Sequence, residues 1–193
     1  MNEKNADRRV RKTKNLLKKG LIDLMKERSF RDITVKELAD YADINRGTFY
    51  LHYKDVFDLM EQTEHELMEQ IISIFKKYNP HELSQSPRPI YADLFSAVQE
   101  NAGLCRVLLS SNGDIAFLTK FKTTIYEECL SHWSELNAGK SDIRQEYFAS
   151  FILSGYIGLI QLWLENGMAV STDELADMGE GFILKGIRSI LPV

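Results

Sequence analysis

Between Ile33 and Val56 the chain reads ITVKELADYADINRGTFYLHYKDV, and this stretch leaves little freedom in what the N-terminal part can become. Thr34 precedes an apolar-periodic run and Glu37 follows three residues later. In that arrangement a Thr hydroxyl accepts a first-turn N–H while the Glu carboxylate reaches back to the cap. The spacing predicts a helix over Val35–Ala42. After a two-residue turn, Asn45 supplies a second cap, and the short helix it starts is placed over Asn45–Leu51. Asp43 lies in the turn, where a left-handed backbone is usual; Gly is preferred there and Asp tolerates it next best. Leu38, Ile44 and Phe49 are apolar where a three-helix core must close, and Ala39 is small where two helices cross. A first helix over Thr13–Arg28 has Leu16, Leu17, Leu21, Ile22 (or Leu24) and Met25 at helical spacing, and Phe30 and Ile33 read as a non-helical apolar connector.

The rest of the chain also reads as helix. No run alternates apolar and polar residues, and only four prolines interrupt it. A helix is expected over Asp55–Tyr78, then others over Ile90–Asn101, Leu104–Ser110, Ile115–Leu136, Ser141–Asn166 and Thr172–Leu191, with Gly113, Gly139 and Gly167 as stops. The Ser- and Pro-rich segment Asn79–Pro89 reads as a linker. The expected class is all-α with about nine helices. A three-helix domain with a helix-turn-helix over 1–54 joins a larger helical domain over 55–193.

Net charge is −4, yet residues 1–60 hold fourteen Lys/Arg against ten Asp/Glu, so the remainder is strongly acidic. A basic head on an acidic body suits a chain that meets phosphates at one end only, although a solvated charged tail gives the same count. Within the head, the second short helix presents Arg46, Gly47, Thr48, Tyr50 and His52 within two turns. Arg46 can bond a guanine edge bidentately or clamp a phosphate. Gly47 lets the backbone approach a base. Thr48, Tyr50, His52 and Lys54 offer donors for phosphate oxygens, and Thr34, Lys36 and Asn45 complete the candidate DNA-binding set. Phe49 and Tyr53 read as core. His52 is open between core edge and phosphate donor, and Leu51 between a thymine-methyl contact and plain exposure.

The string Thr48, Phe49, Tyr50, Leu51, His52, Tyr53, Lys54, Asp55, following Arg46-Gly47, resembles the hallmark of the TetR family of bacterial repressors. The resemblance covers about residues 10–60 in detail and the whole chain in helix plan and length. There are two departures: Asp43 stands where Gly is usual in the turn, and Val56 where a Lys is frequent. The string Tyr147–Met168 is similar to the C-terminal domain of a subgroup common in low-GC Gram-positive bacteria, which includes regulators of dihydroxyacetone kinase operons. The resemblance implies a homodimer on double-stranded DNA, formed through the last two long helices, with a small molecule bound among the middle helices.

On the residues themselves, Ser150, Ser154 and Gly158 form a small-residue stripe on one helix. Leu175, Met178, Gly179, Phe182 and Gly186 fall on one face of the next. Either stripe alone fits a monomer's core equally well; together, on a chain that needs two half-sites, they favour a dimer interface. Phe117, Phe121, Tyr126, Cys129, Trp133, Tyr156 and Trp163 are the candidates for an effector pocket by type and position. Cys105 and Cys129 read as small buried hydrophobes, with a redox or ligand-lining thiol as the other reading. His65, His81 and His132 have no Ser, Cys or paired carboxylate at a catalytic spacing, and no metal-ligand spacing or phosphate loop occurs. Neither an enzyme nor a cofactor or metal is therefore expected. No run of eighteen apolar residues suggests a membrane span, and a cytoplasmic location is expected. The expected function is a ligand-responsive repressor of a palindromic operator. The alternative is a DNA-binding adaptor or activator whose C-terminal domain binds a protein partner.

Overall fold

The computed structural model describes residues 3–110, 113–136 and 143–185, the side chains of 3–7, 84 and 133–136 aside. Among these residues there are ten α-helices, one short 3-10 turn and no strand. The chain divides into two compact units. One runs to Leu67 and takes in Val107–Ile115; the other comprises Met68–Arg106 and the chain from Ala116 onward. The division falls inside the fourth helix rather than at the 54/55 boundary read from the sequence.

The first unit opens with α1 (Glu3–Met25). Leu17, Leu21 and Met25, spaced four apart, form its buried stripe, and each is at most 1% exposed. Leu16, expected on that stripe, lies outside it and is exposed. A 3-10 turn, Phe30–Asp32, takes the place of the expected irregular connector: the Ser29 hydroxyl accepts from the Arg31 N–H, and Phe30 is buried. Helices α2 (Val35–Tyr41) and α3 (Arg46–Tyr50) follow, and α4 (Val56–Lys77) begins here. Gly20 sets the distance between α1 and α2. A Cβ there would lie 3.1 Å from Leu38 Cδ1 and 3.3 Å from a Tyr41 ring carbon. Lys18 pairs with Glu66 between α1 and α4, and Arg28 pairs with Glu37 at 3.0 Å; such exposed pairs add little to stability. Burial of Leu38, Ala39, Phe49, Val56, Leu59 and Met60 holds the unit together.

The second unit holds the end of α4 and α5 (Pro80–Gln85), α6 (Arg88–Glu100), most of α7 (Ala102–Leu108), and α8 (Ile115–Leu136), α9 (Ile143–Glu165) and α10 (Thr172–Leu184). Helix α5 corrects the linker reading. Asn79 Oδ1 accepts from the His81 N–H at 2.9 Å and Pro80 occupies the first turn, so the polar, Pro-containing composition of a linker here starts a helix. Helix α10 runs along α6. Arg88 at the start of α6 bonds Asp173 and Asp177 of α10, and the Arg88 N–H and Ser86 hydroxyl both donate to Glu180. Helix α9 ends on two left-handed residues, Gly167 (φ 68°) and Met168 (φ 59°), and the Trp163 indole N–H donates to the Val170 carbonyl at 2.9 Å. The last part of the helix expected over Thr172–Leu191 lies beyond residue 185, outside the described residues.

Phe49 is fully buried on α3, whereas Leu51, two residues on, is 79% exposed. Phe49→Ala is expected to lower stability by about 3–5 kcal/mol, and Leu51→Ala by no more than about 0.5 kcal/mol. Denaturant unfolding followed by far-UV circular dichroism checks both; equal midpoints for the two variants would mean that the ring is not what anchors α3.

Candidate functional site

The α2–turn–α3 corner is built almost wholly from local hydrogen bonds. Thr34 Oγ1 accepts from the Glu37 N–H at 3.2 Å while Glu37 Oε2 accepts from the Thr34 N–H at 3.0 Å, closing the capping box expected at that spacing. At the other end of α2, Asp43 has φ 53°, the left-handed conformation expected of the turn residue. The Ile44 N–H then reaches the Ala39 carbonyl at 2.9 Å and the Asp43 N–H the Asp40 carbonyl at 3.4 Å, the paired bonds of a Schellman ending. Asn45 starts α3, its Oδ1 accepting from the Gly47 N–H at 2.7 Å. A Cβ on Gly47 would stand 3.1 Å from that same oxygen. The glycine therefore has a local reason to be there, apart from any approach to a base.

The corner turns most of the expected DNA-binding set outward. Lys36, Arg46, Gly47 and Lys54 are exposed, and Tyr50 is 58% exposed. Thr34 and Asn45 are exposed too, with side-chain oxygens engaged in the caps. Thr48 and His52 are half-buried, and the His52 ring lies edge-on to Tyr53 at 6.4 Å. Phe49 and Tyr53 are core, as their spacing indicated. Burial pushes the Tyr53 hydroxyl up to about 12, and the Lys14 ammonium lies 5.5 Å from the centre of its ring. At the start of α4, Asp55 Oδ1 accepts from the Asp58 N–H, and Asp58 accepts in return from the Lys54 N–H at 2.8 Å. That backbone bond is the main reason the Asp58 carboxyl is held below the usual range. Lys54 is thus fixed at the corner by its own main chain. Val56, at the position where the family often has Lys, is only 3% exposed, so the departure places an apolar side chain in the core.

The second unit contains an apolar cavity of about 190 Å³. Of the residues named from the sequence as pocket candidates, Phe121, Cys129 and Tyr156 lie on its lining. Phe117 and Tyr126 do not; Phe117 is buried against Phe121, ring centres 5.9 Å apart. Trp163 does not either, because its indole is engaged at the α9–α10 corner, and the Trp133 side chain lies outside the described residues. The sequence reading missed Ile71 and Phe75 of α4, Leu83 of α5, and Tyr91 and Leu94 of α6. A signal was present: Ile71 and Phe75 are one turn apart on an apolar face. Burial pushes the thiols of Cys129 and Cys105 up to about 11 and about 12 respectively. Among the described residues no group of three or more His, Cys, Asp or Glu is placed to hold a metal ion.

Of the expected interface residues, Ser150, Ser154, Gly158, Met178 and Phe182 are exposed. Leu175, at 2% exposure, belongs to the chain's own core, and Gly179 is buried where a Cβ would come 2.6 Å from the Tyr156 hydroxyl. Gly186 lies outside the described residues. Around the exposed stripe of α9 stand Tyr147, Phe151 and Leu162, all more than half exposed. By length and composition alone α9 could cross a membrane, with little of it buried within the chain, although Arg144, Glu146 and Gln161 interrupt its apolar run.

A capped helix, a left-handed turn and a second short capped helix make the arrangement of a helix-turn-helix, and every element among the described residues is helical. Residues 19–62 match the family model for bacterial regulatory proteins of the tetR family, and residues 85–185 match that for a transcriptional regulator C-terminal region. The chain belongs to the TetR family of transcription regulators. An uncharacterized HTH-type transcriptional regulator of Bacillus subtilis, YxbF, is 23% identical over 164 residues. That match covers 83% of this chain, which spans only 42% of the length of that curated relative. Among solved structures, a TetR regulator from Streptococcus agalactiae is similar (TM-score 0.61, 21% identity, 94% of this chain and 99% of that one). So is the dihydroxyacetone kinase operon activator DhaS (TM-score 0.54, 14% identity, 91% and 96%). A third is FadR of Bacillus subtilis in complex with stearoyl-CoA (TM-score 0.60, 15% identity, 89% and 98%). At these identities the likeness is one of fold.

Bonds from Thr34 hold the Glu37 carboxyl down at about 2, chiefly through the backbone N–H, with Arg28 contributing. An unfolded Glu titrates near about 4.3, so the stabilisation is whole above that pH and is lost as the pH falls toward about 2. Wild-type and Glu37→Gln stabilities, measured against pH, should converge at the acid end of that window; a constant difference down to its bottom would disprove the assignment.

Proposed function

We propose that this chain is a ligand-responsive repressor that binds a palindromic DNA operator as a homodimer. The observation that carries the reading is the outward lock on α3: two side-chain caps and a left-handed aspartate leave Arg46, Tyr50 and Lys54 exposed together on a basic head. Arg46 would read a guanine edge or clamp a phosphate, while Tyr50, Lys36 and Lys54 meet phosphate oxygens. Thr48 and His52, half-buried, would contact the backbone from the rim of the site.

Dimerisation through α9 and α10 is supported by the geometry of the exposed face. A Cβ added to Gly155 or Gly158 would meet nothing within 4 Å, so both glycines open onto free space where a second helix can come close. Phe151, Leu162 and Phe182 flank a groove along the same two helices. Two copies of this face would pack as a four-helix bundle around a two-fold axis, and a two-fold dimer calls for an operator with two half-sites about 34 Å apart.

The apolar cavity supports an effector site, and one protein of similar fold carries stearoyl-CoA. A ligand that binds better to a dimer whose α3 spacing no longer matches successive grooves would release the operator.

Selection of duplexes from a random library should enrich a palindrome with half-sites about one turn apart. Arg46→Ala should lose that preference while still sedimenting as a dimer, and retention of wild-type selectivity would refute the role of α3. Gly158→Arg should halve the sedimenting mass and weaken operator binding by about tenfold or more; an intact dimer would refute the α9–α10 interface.

A further inference from the structure

We propose that the cavity of the second unit takes a small uncharged ligand, an aromatic or alicyclic molecule of about ten non-hydrogen atoms with one hydrogen-bonding group, and not an anion or a long acyl chain. The proposal rests on the ligand-responsive reading above and names the chemistry of that ligand.

Size gives the first argument. An apolar cavity of about 150 Å³ accommodates benzene, so about 190 Å³ suits one further ring or a few substituents. Drug-sized ligands and extended acyl chains need pockets that begin at about 300 Å³. Charge gives the second. Among the described residues lining the cavity there is no Lys, Arg, Asp or Glu. A carboxylate or phosphate buried here would lose its water, with His132 the one side chain on the described lining able to carry a counter-charge. The walls are Ile, Leu and Val with the rings of Phe75, Phe95 and Phe121, which favour a flat or compact apolar body.

Polarity gives the third. Apart from the Cys129 thiol, the polar side chains on the lining are Tyr91, Tyr156 and His132. His132 lies stacked on Phe75, ring centres 6.0 Å apart, which leaves its ring edge as the polar part. The Tyr91 and Tyr156 rings stand 4.5 Å apart, and the Tyr156 hydroxyl is buried against Gly179 of α10. Burial pushes Tyr91 up to about 12, so its hydroxyl keeps its proton at any physiological pH. The protonated Tyr91 hydroxyl and the His132 ring edge, on an otherwise apolar wall, are matched by a single hydroxyl, ring N–H or carbonyl on the ligand.

Calorimetric titration of the full chain with indole and 1-naphthol, against indole-3-carboxylate, 1-naphthoate and palmitate, tests the class. Saturable binding of a neutral probe is expected, with its carboxylate weaker by about tenfold or more and palmitate no tighter. Leu94→Trp and Ile160→Trp fill the cavity from different helices, and each should cost about tenfold or more in neutral-probe binding while the far-UV spectrum stays that of wild type. Tighter binding of a carboxylate or of palmitate overturns the ligand class and leaves the ligand-responsive reading standing. Failure of both neutral probes to bind a chain that selects an operator also overturns the class. If both filled variants then also regulate a reporter as wild type does, the ligand-responsive reading falls with it.

Discussion

A helix of five residues cannot hold itself together, because nucleation costs more than so few bonds return. Helix α3 exists only because something outside it fixes both its ends and one of its faces. The Asn45 side chain fixes the start, and Phe49, buried completely, fixes the face. The Tyr53 N–H, bonded to the Phe49 carbonyl at 3.0 Å, ties the end to the next segment. The remainder of the first unit can be seen as the socket for that one ring. Leu38 and Ala39 of α2, the stripe of α1 and the first turns of α4 are the buried surfaces that such a socket needs. Exposure of Tyr50 follows from the same constraint, since the residue next to a buried one on a helix lies about 100° round its axis, while Arg46 is exposed as the first residue of α3.

What the sequence made legible was chemistry confined to a few consecutive residues. The Thr34–Glu37 box, the Asn45 cap and the left-handed Asp43 each depend on neighbours within about four positions, so a linear reading finds them. Chain-long helical periodicity likewise placed α8 at the bounds it has. Reading failed where composition carried two meanings. Asn79-Pro80 marks a linker and also a capped helix start, and only the helices around it decide which.

The cavity was harder still. Periodicity shows that Ile71 and Phe75 share an apolar face, yet it cannot say that Leu94 and Phe121 stand across an unfilled space from them. Aromatic residues were a poor guide. Trp163 is spent on a backbone carbonyl at a corner, and Phe117 on packing against another ring, while aliphatic residues make much of the wall. Leu175 illustrates the same limit at the other surface: it shares a helix face with exposed Met178 and Phe182 but is covered by its own chain.

The close fit of Tyr156 against Gly179 has a mechanical meaning. Tyr156 lines the cavity on one side and the groove between α9 and α10 on the other, and its hydroxyl occupies the notch that the missing Cβ leaves. One turn either way along the same face stand Leu175 and Ile183, both with full side chains. Sliding α10 by one turn, about 5.4 Å along its axis, would bring one of them onto the phenol. The helix therefore has a detent rather than a smooth track: it stays in register while the ring stays put, and a push on the ring would be felt as a jump.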